Sequence, residues 1–141
     1  ELLLPSTIGA LETIVEGVPP PPAAALSDFG ASAADAGGWL ERLVAHRGTA
    51  FVAGPDLWTE RYGRWIAGSW TEAGLPSVRS DARVVAAAER ALAAGSATLV
   101  IAHLAELDAV AHRHGARTPR WSAAVRRVDA HVTALVAADC A

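Results

Sequence analysis

Two short apolar runs constrain the fold more than any other feature of the chain. Thr49–Ala53 lies between Gly48 and Gly54-Pro55, and Ala97–His103 follows Gly95-Ser96. Neither run alternates apolar with polar residues. A strand that is apolar on both faces must be covered on both, which is the condition of a strand in a parallel sheet flanked by helices. Helical patterns surround these runs. Asp81 stands at the head of a segment to Ala94 with Val84, Val85, Ala88 and Leu92 on one face, and Gly95 ends it. Thr118-Pro119 opens a last helix to about Ala137, because Pro is tolerated in a first turn. The pattern predicts an α/β layered domain with a parallel sheet.

The rest of the chain divides at its breakers. Ile8–Val15 has helical spacing, with Ser6 or Thr7 as its cap and Gly17 and Pro19–Pro22 as its end. The prolines and the Ala/Ser/Gly-rich stretch to Gly38 read as an irregular surface connection. Trp39–His46 reads as a helix, and Asp56 as the cap of a short helix through Tyr62. Residues 66–80 read as loop. Ala105–His114 reads as a helical turn or short helix stopped by Gly115. Trp39, Trp58, Trp65, Trp70 and Trp121 share no helical spacing and read as core and rim packing.

Composition excludes several classes. The 141 residues carry a net charge of −3, which argues against a binder of nucleic-acid polymers. The single cysteine, Cys140, permits neither a disulfide framework nor a Cys-rich zinc site. No apolar run reaches the roughly 18–20 residues of a membrane span, and no signal peptide is visible. A soluble protein of unassigned compartment is the expectation. All 12 basic residues are Arg, and Lys, Asn, Gln and Met are absent, as strong codon bias produces.

In open parallel sheets ligands bind beyond the carboxyl ends of the strands, so the chemistry is expected after Ala53 and after His103. Asp108 and His112 are four residues apart, and a helix puts them on one face. A carboxylate and an imidazole are part of a zinc ligand set; the plain alternative is an exposed polar turn. His103, at a strand end, reads either as a residue that orients a ligand or as a satisfied structural histidine. His114 and His131 read as surface residues, and His46 as a favourable partial charge at a helix end. Asp81, Glu89, Glu106 and Asp129 read as caps or solvated helix faces. Pro5-Ser6-Thr7 before a helix has two readings: plain capping, or a nucleophilic hydroxyl beside backbone N–H groups that hold a phosphate.

Taken together, these pieces resemble a known family. His103, Asp108, His112 and Gly115, then Trp121 and Arg-Arg-Val-Asp-Ala at 126–130, are similar to the type I phosphodiesterase/nucleotide pyrophosphatase branch of the alkaline phosphatase superfamily. Gly54-Pro-Asp-Leu-Trp58 and the Asp81 helix fit the same pattern. At the front, Pro5-Ser6-Thr7 followed by Thr13-Ile-Val and Gly17-Val-Pro19 resembles the family's nucleophile helix, with Thr7 as the nucleophile. The resemblance implies a two-zinc hydrolase of small phosphate esters or nucleotides. Thr7 would attack phosphorus and contact one zinc, and Asp108 and His112 would bind the other. It also implies a strand ending in an Asp ligand ahead of Glu1, and an Asp-His pair and a final His after Ala141. Residues 1–141 therefore read as one incomplete domain.

Two other readings stand beside this one. A shortened, non-catalytic relative would serve as a binding or assembly module, as a homodimer that covers an exposed sheet edge, whereas the enzyme would act in a longer chain or with a complementing segment. Phosphomutases and phosphoethanolamine transferases share much of the same scaffold.

Overall fold

The computed structural model describes residues 7–17, 37–72 and 80–139. Its elements are α1 (Thr7–Glu16), α2 (Gly38–Ala45), β1 (Ala50–Pro55), α3 (Leu57–Tyr62), a 3₁₀ turn (Gly63–Trp65), β2 (Gly68–Glu72), α4 (Ser80–Ala94), β3 (Leu99–Ala102), α5 (Glu106–His114) and α6 (Pro119–Asp139). The three strands form one parallel sheet in the order β2-β1-β3. Phe51 pairs with Gly68 on one side of β1 and with Val100 on the other.

Alternation along β1 divides the core into two layers. Ala50 and Val52 point to one face, where they meet Leu11 and Val15 of α1, Leu40 of α2, and Trp58, Tyr62 and Trp65. Phe51 and Ala53 point to the other, where Val84, Ala87 and Ala88 of α4 and Leu135 of α6 cover them. Helices thus lie on both faces, and a β1 that is apolar throughout is explained by its central place in the sheet. The two outer strands are less covered: all four residues of β3 are only half-buried.

Ion pairs and hydrogen bonds tie α1 to α3. The Arg61 guanidinium pairs with Glu12, and the Tyr62 hydroxyl donates to Glu16 Oε1 at 3.1 Å. Burial is the main cause that pushes the Tyr62 phenol up to about 12. Gly38 sits where α1 crosses α2. Its φ is +53°, and a Cβ there would lie 2.0 Å from the Val15 carbonyl oxygen, so no side chain fits.

The expected elements are present, with corrections: the Ala97–His103 run forms a strand only over Leu99–Ala102, and that strand is half-buried rather than covered on both faces. Residues 66–80 do not form a loop throughout, because Gly68–Glu72 is the edge strand β2. Its Gly-Ser-Trp-Thr-Glu sequence lacks an apolar run, and none of its residues is fully buried. Thr7 is the first residue of α1 rather than a residue ahead of it. Ser6 and most of the 19–38 connection lie outside the described residues. Asp56 occupies the position before α3, but its side chain makes no capping bond there. Its backbone carbonyl accepts from the Thr59 and Glu60 N–H groups and from the Thr59 hydroxyl instead. Trp58 and Trp65 are buried, and Trp39, Trp70 and Trp121 are half-buried, as core and rim positions require.

Candidate active site

All three strands end on the same edge of the sheet, because they are parallel. β1 delivers Gly54-Pro55 there, β2 delivers Glu72, and β3 runs into His103. The His103 N–H donates to the Ala53 carbonyl at 2.9 Å, which carries the ladder one residue beyond β3. Glu72 pairs with Arg83 of α4, and the hydrogen bond from that guanidinium holds its carboxyl below the usual range.

The segment after β3 is anchored from below. Asp81, in the first turn of α4, is fully buried. Its Oδ1 accepts from the Ala105 N–H at 2.9 Å, and its two oxygens accept from the Glu106 N–H at 3.2 and 3.1 Å. Asp81 therefore caps α5, a helix 24 residues further along, and the N-terminal partial charge of α5 suits a carboxylate there. Glu106, the first residue of α5, is also fully buried, and Arg127 of α6 donates to its Oε1 through Nε at 2.8 Å and through Nη2. These two residues correct the sequence reading. Neither Asp81 nor Glu106 is a local cap or a solvated face; both tie α5 to the helices around it. A polar residue at a helix start looks like a local cap in sequence, and the tertiary partner is invisible there.

With its start fixed, α5 projects Asp108 and His112 outward. His112 Nε2 lies 3.3 Å from Asp108 Oδ1, and both side chains are exposed, at 79% and 69%. The structure thus brings these two residues together as the i,i+4 spacing requires. An ion pair this exposed adds little to stability. Its value is accessibility, since both donors face solvent. Thr7 opens α1, which packs against α2 on the far side of β1 from α4. The Thr7 side chain lies outside the described residues. Among the described residues, no group of three or more His, Cys, Asp or Glu is placed to hold a metal ion. Asp108 and His112 are an oxygen and a nitrogen donor of the kind zinc takes, and they suit half of its coordination sphere.

His103 is held by a residue that spacing did not connect to it. Trp58 Nε1 donates to His103 Nδ1 at 2.9 Å, with the rings nearly perpendicular at 88°. Burial, working against the charges of Asp81 and Asp108, lowers the His103 pKa below its ordinary 6.5. The fold therefore favours neutral His103, and its contribution is complete above pH 6.5 and lost as the pH falls below it. His103→Gln is expected to flatten the loss of stability between pH 6.5 and 5, measured by urea unfolding at a series of pH values. An unchanged slope would remove His103 from that loss. The other histidines are peripheral: His46 and His114 are exposed, His114 lies beside Arg120, and His131 is half-buried on α6.

A groove of about 460 Å³ runs between α4, β3 and the end of α6, lined by Leu92, Leu99, Leu135 and Val136. None of the residues of the strand-end cluster lines it.

This arrangement defines an α/β domain with its polar cluster beyond the carboxyl ends of a parallel sheet. Comparison with family profiles gives a match over residues 24–138 to type I phosphodiesterase / nucleotide pyrophosphatase. The chain belongs to that family. The match takes in all three strands, Asp81, His103, Asp108 and His112, and begins after Thr7. No curated protein and no solved structure matched the chain. No helix among the described residues is long and apolar enough to cross a membrane.

Proposed function

We propose that the protein is a metal-dependent hydrolase of phosphate esters, with Thr7 as nucleophile and Asp108 and His112 as ligands to one of two zinc ions. The observation that carries the reading is the exposed Asp108–His112 pair, held beyond β3 by a buried anchor within the family-matched segment. Zinc, when bound, would supply positive charge to the developing oxyanions of phosphoryl transfer. This chain's own residues carry the remaining steps. The Thr7 hydroxyl gives up its proton to solvent and its oxygen bonds to phosphorus as the ester P–O bond breaks, and the leaving oxygen takes up a proton from solvent. Water then attacks the phosphorus of the phosphothreonine, the bond from phosphorus to the Thr7 oxygen breaks, that oxygen takes up a proton from the water, and the product leaves as phosphate from a monoester or as a phosphate monoester from a diester. The N–H groups of the first turn of α1 have no helical acceptor and suit the oxygens of a phosphoryl group on Thr7.

The metal assignment has its own test. Calorimetric titration with zinc chloride is expected to give binding that weakens at least about tenfold in both Asp108→Ala and His112→Ala, since each removes a metal–ligand bond. Equal zinc affinity in wild type and both variants would overturn the assignment.

A further inference from the structure

His103 offers a hydrogen bond that nothing in the described structure takes up. An indole N–H can only donate, so the 2.9 Å contact from Trp58 Nε1 makes His103 Nδ1 an acceptor. The neutral ring then carries its proton on Nε2. Nε2 makes no hydrogen bond to any described residue. Two further contacts fix the ring's place. The His103 backbone is bonded to Ala53, and a Cβ on Gly54 would lie 2.8 Å from the His103 Cβ. Gly54 is thus what lets the histidine stand so close to β1. The result is an uncharged N–H donor, locked in one tautomer, at the same strand end as Asp108.

We infer that His103 is a ligand-binding residue that donates its Nε2–H to an oxygen of the bound phosphate ester, with Trp58 as the positioning residue that fixes its tautomer. The same geometry keeps His103 out of the metal's coordination sphere. Nδ1 is occupied by the indole, and Nε2 has no lone pair to give while it holds the proton. A neutral donor suits this place. It binds an anionic oxygen without adding a second cation to compete with metal. The inference rests on the phosphate-ester reading of the site.

The test is a long-range proton–nitrogen NMR spectrum of the uniformly ¹⁵N-labelled protein, with the His103 signals assigned from His103→Gln. The expected spectrum shows the Nε2–H tautomer. Titration with inorganic phosphate, against sodium chloride at matched ionic strength, is expected to shift His103 Nε2 saturably. His103→Ala is expected to weaken phosphate binding about tenfold, the effect of one hydrogen bond to a charged group. His103→Gln, which keeps an N–H donor, is expected to retain most of it. Trp58→Phe, which keeps the ring packing, is expected to release the tautomer and weaken binding by a smaller factor. An Nδ1–H tautomer in the wild type overturns the inference. So do phosphate shifts at His112 that leave His103 unmoved, a result under which the phosphate-ester reading survives. Absence of any phosphate-specific shift overturns both.

Discussion

Asp81→Ala is expected to destabilise the fold by about 3 kcal/mol, the cost of stranding buried donors at a helix start. Asp81 is fully buried, and its carboxylate is the acceptor for the Ala105 and Glu106 N–H groups. An α-helix cannot satisfy its own first N–H groups, so these two have no intrahelical alternative. Each buried donor left unpaired costs about 1–3 kcal/mol. The alanine variant also removes negative charge from the positive end of the α5 dipole. Asp81→Asn keeps one carbonyl oxygen in place and is expected to retain about half of the contribution, because a neutral acceptor bonds more weakly than a charged one. The measurement is the urea midpoint of the three proteins at constant slope. A loss below about 1 kcal/mol in Asp81→Ala would mean that water replaces the carboxylate and that α5 is held by other contacts.

That anchor is the part of the site that reading the sequence does not reveal. The two continuous apolar runs disclose the central strand β1, which helices cover on both faces, and its neighbour β3, whose four residues are only half-buried. β2 is missed because Gly68–Glu72 carries no apolar run; it is an outer strand like β3, but it places Ser, Thr and Glu where β3 places Leu, Val and Ile. Asp108 and His112 are legible because helical spacing alone puts them side by side. Asp81 and Glu106 are not, since their partners lie 24 and 21 residues away and depend on how α4 and α6 pack. Trp58 shows the same limit. Its bulk announces burial, but the indole N–H that holds His103 45 residues further along is fixed only by the approach of α3 to the end of β3. Sequence periodicity encodes what a residue's own element does. It carries no signal for a polar contact made between elements.

Thr7→Ala and Asp108→Ala are expected to have the largest effect of all, on catalysis. On the proposed mechanism, losing the Thr7 hydroxyl leaves no oxygen to accept the phosphoryl group, and losing the Asp108 carboxylate weakens the hold on a zinc ion that would offset charge in the transition state. Each is expected to lower the rate of diester hydrolysis by at least about 100-fold, or about 2.7 kcal/mol in the barrier. The two variants fail differently: Asp108→Ala should recover partly at high zinc concentration, whereas Thr7→Ala should not. The fold of Asp108→Ala is expected to be intact, because Asp108 is exposed, and the urea midpoint of Thr7→Ala is the control for its fold.

The most direct measurement is therefore hydrolysis of bis(p-nitrophenyl) phosphate by the longest form of the protein that its gene encodes. It is assayed with zinc, after chelation, and after zinc is restored, with Thr7→Ala alongside. The account predicts nitrophenolate release that chelation abolishes, zinc restores and Thr7→Ala lacks. Release that is indifferent to chelation, equal release by Thr7→Ala, or no release in the presence of zinc would contradict it.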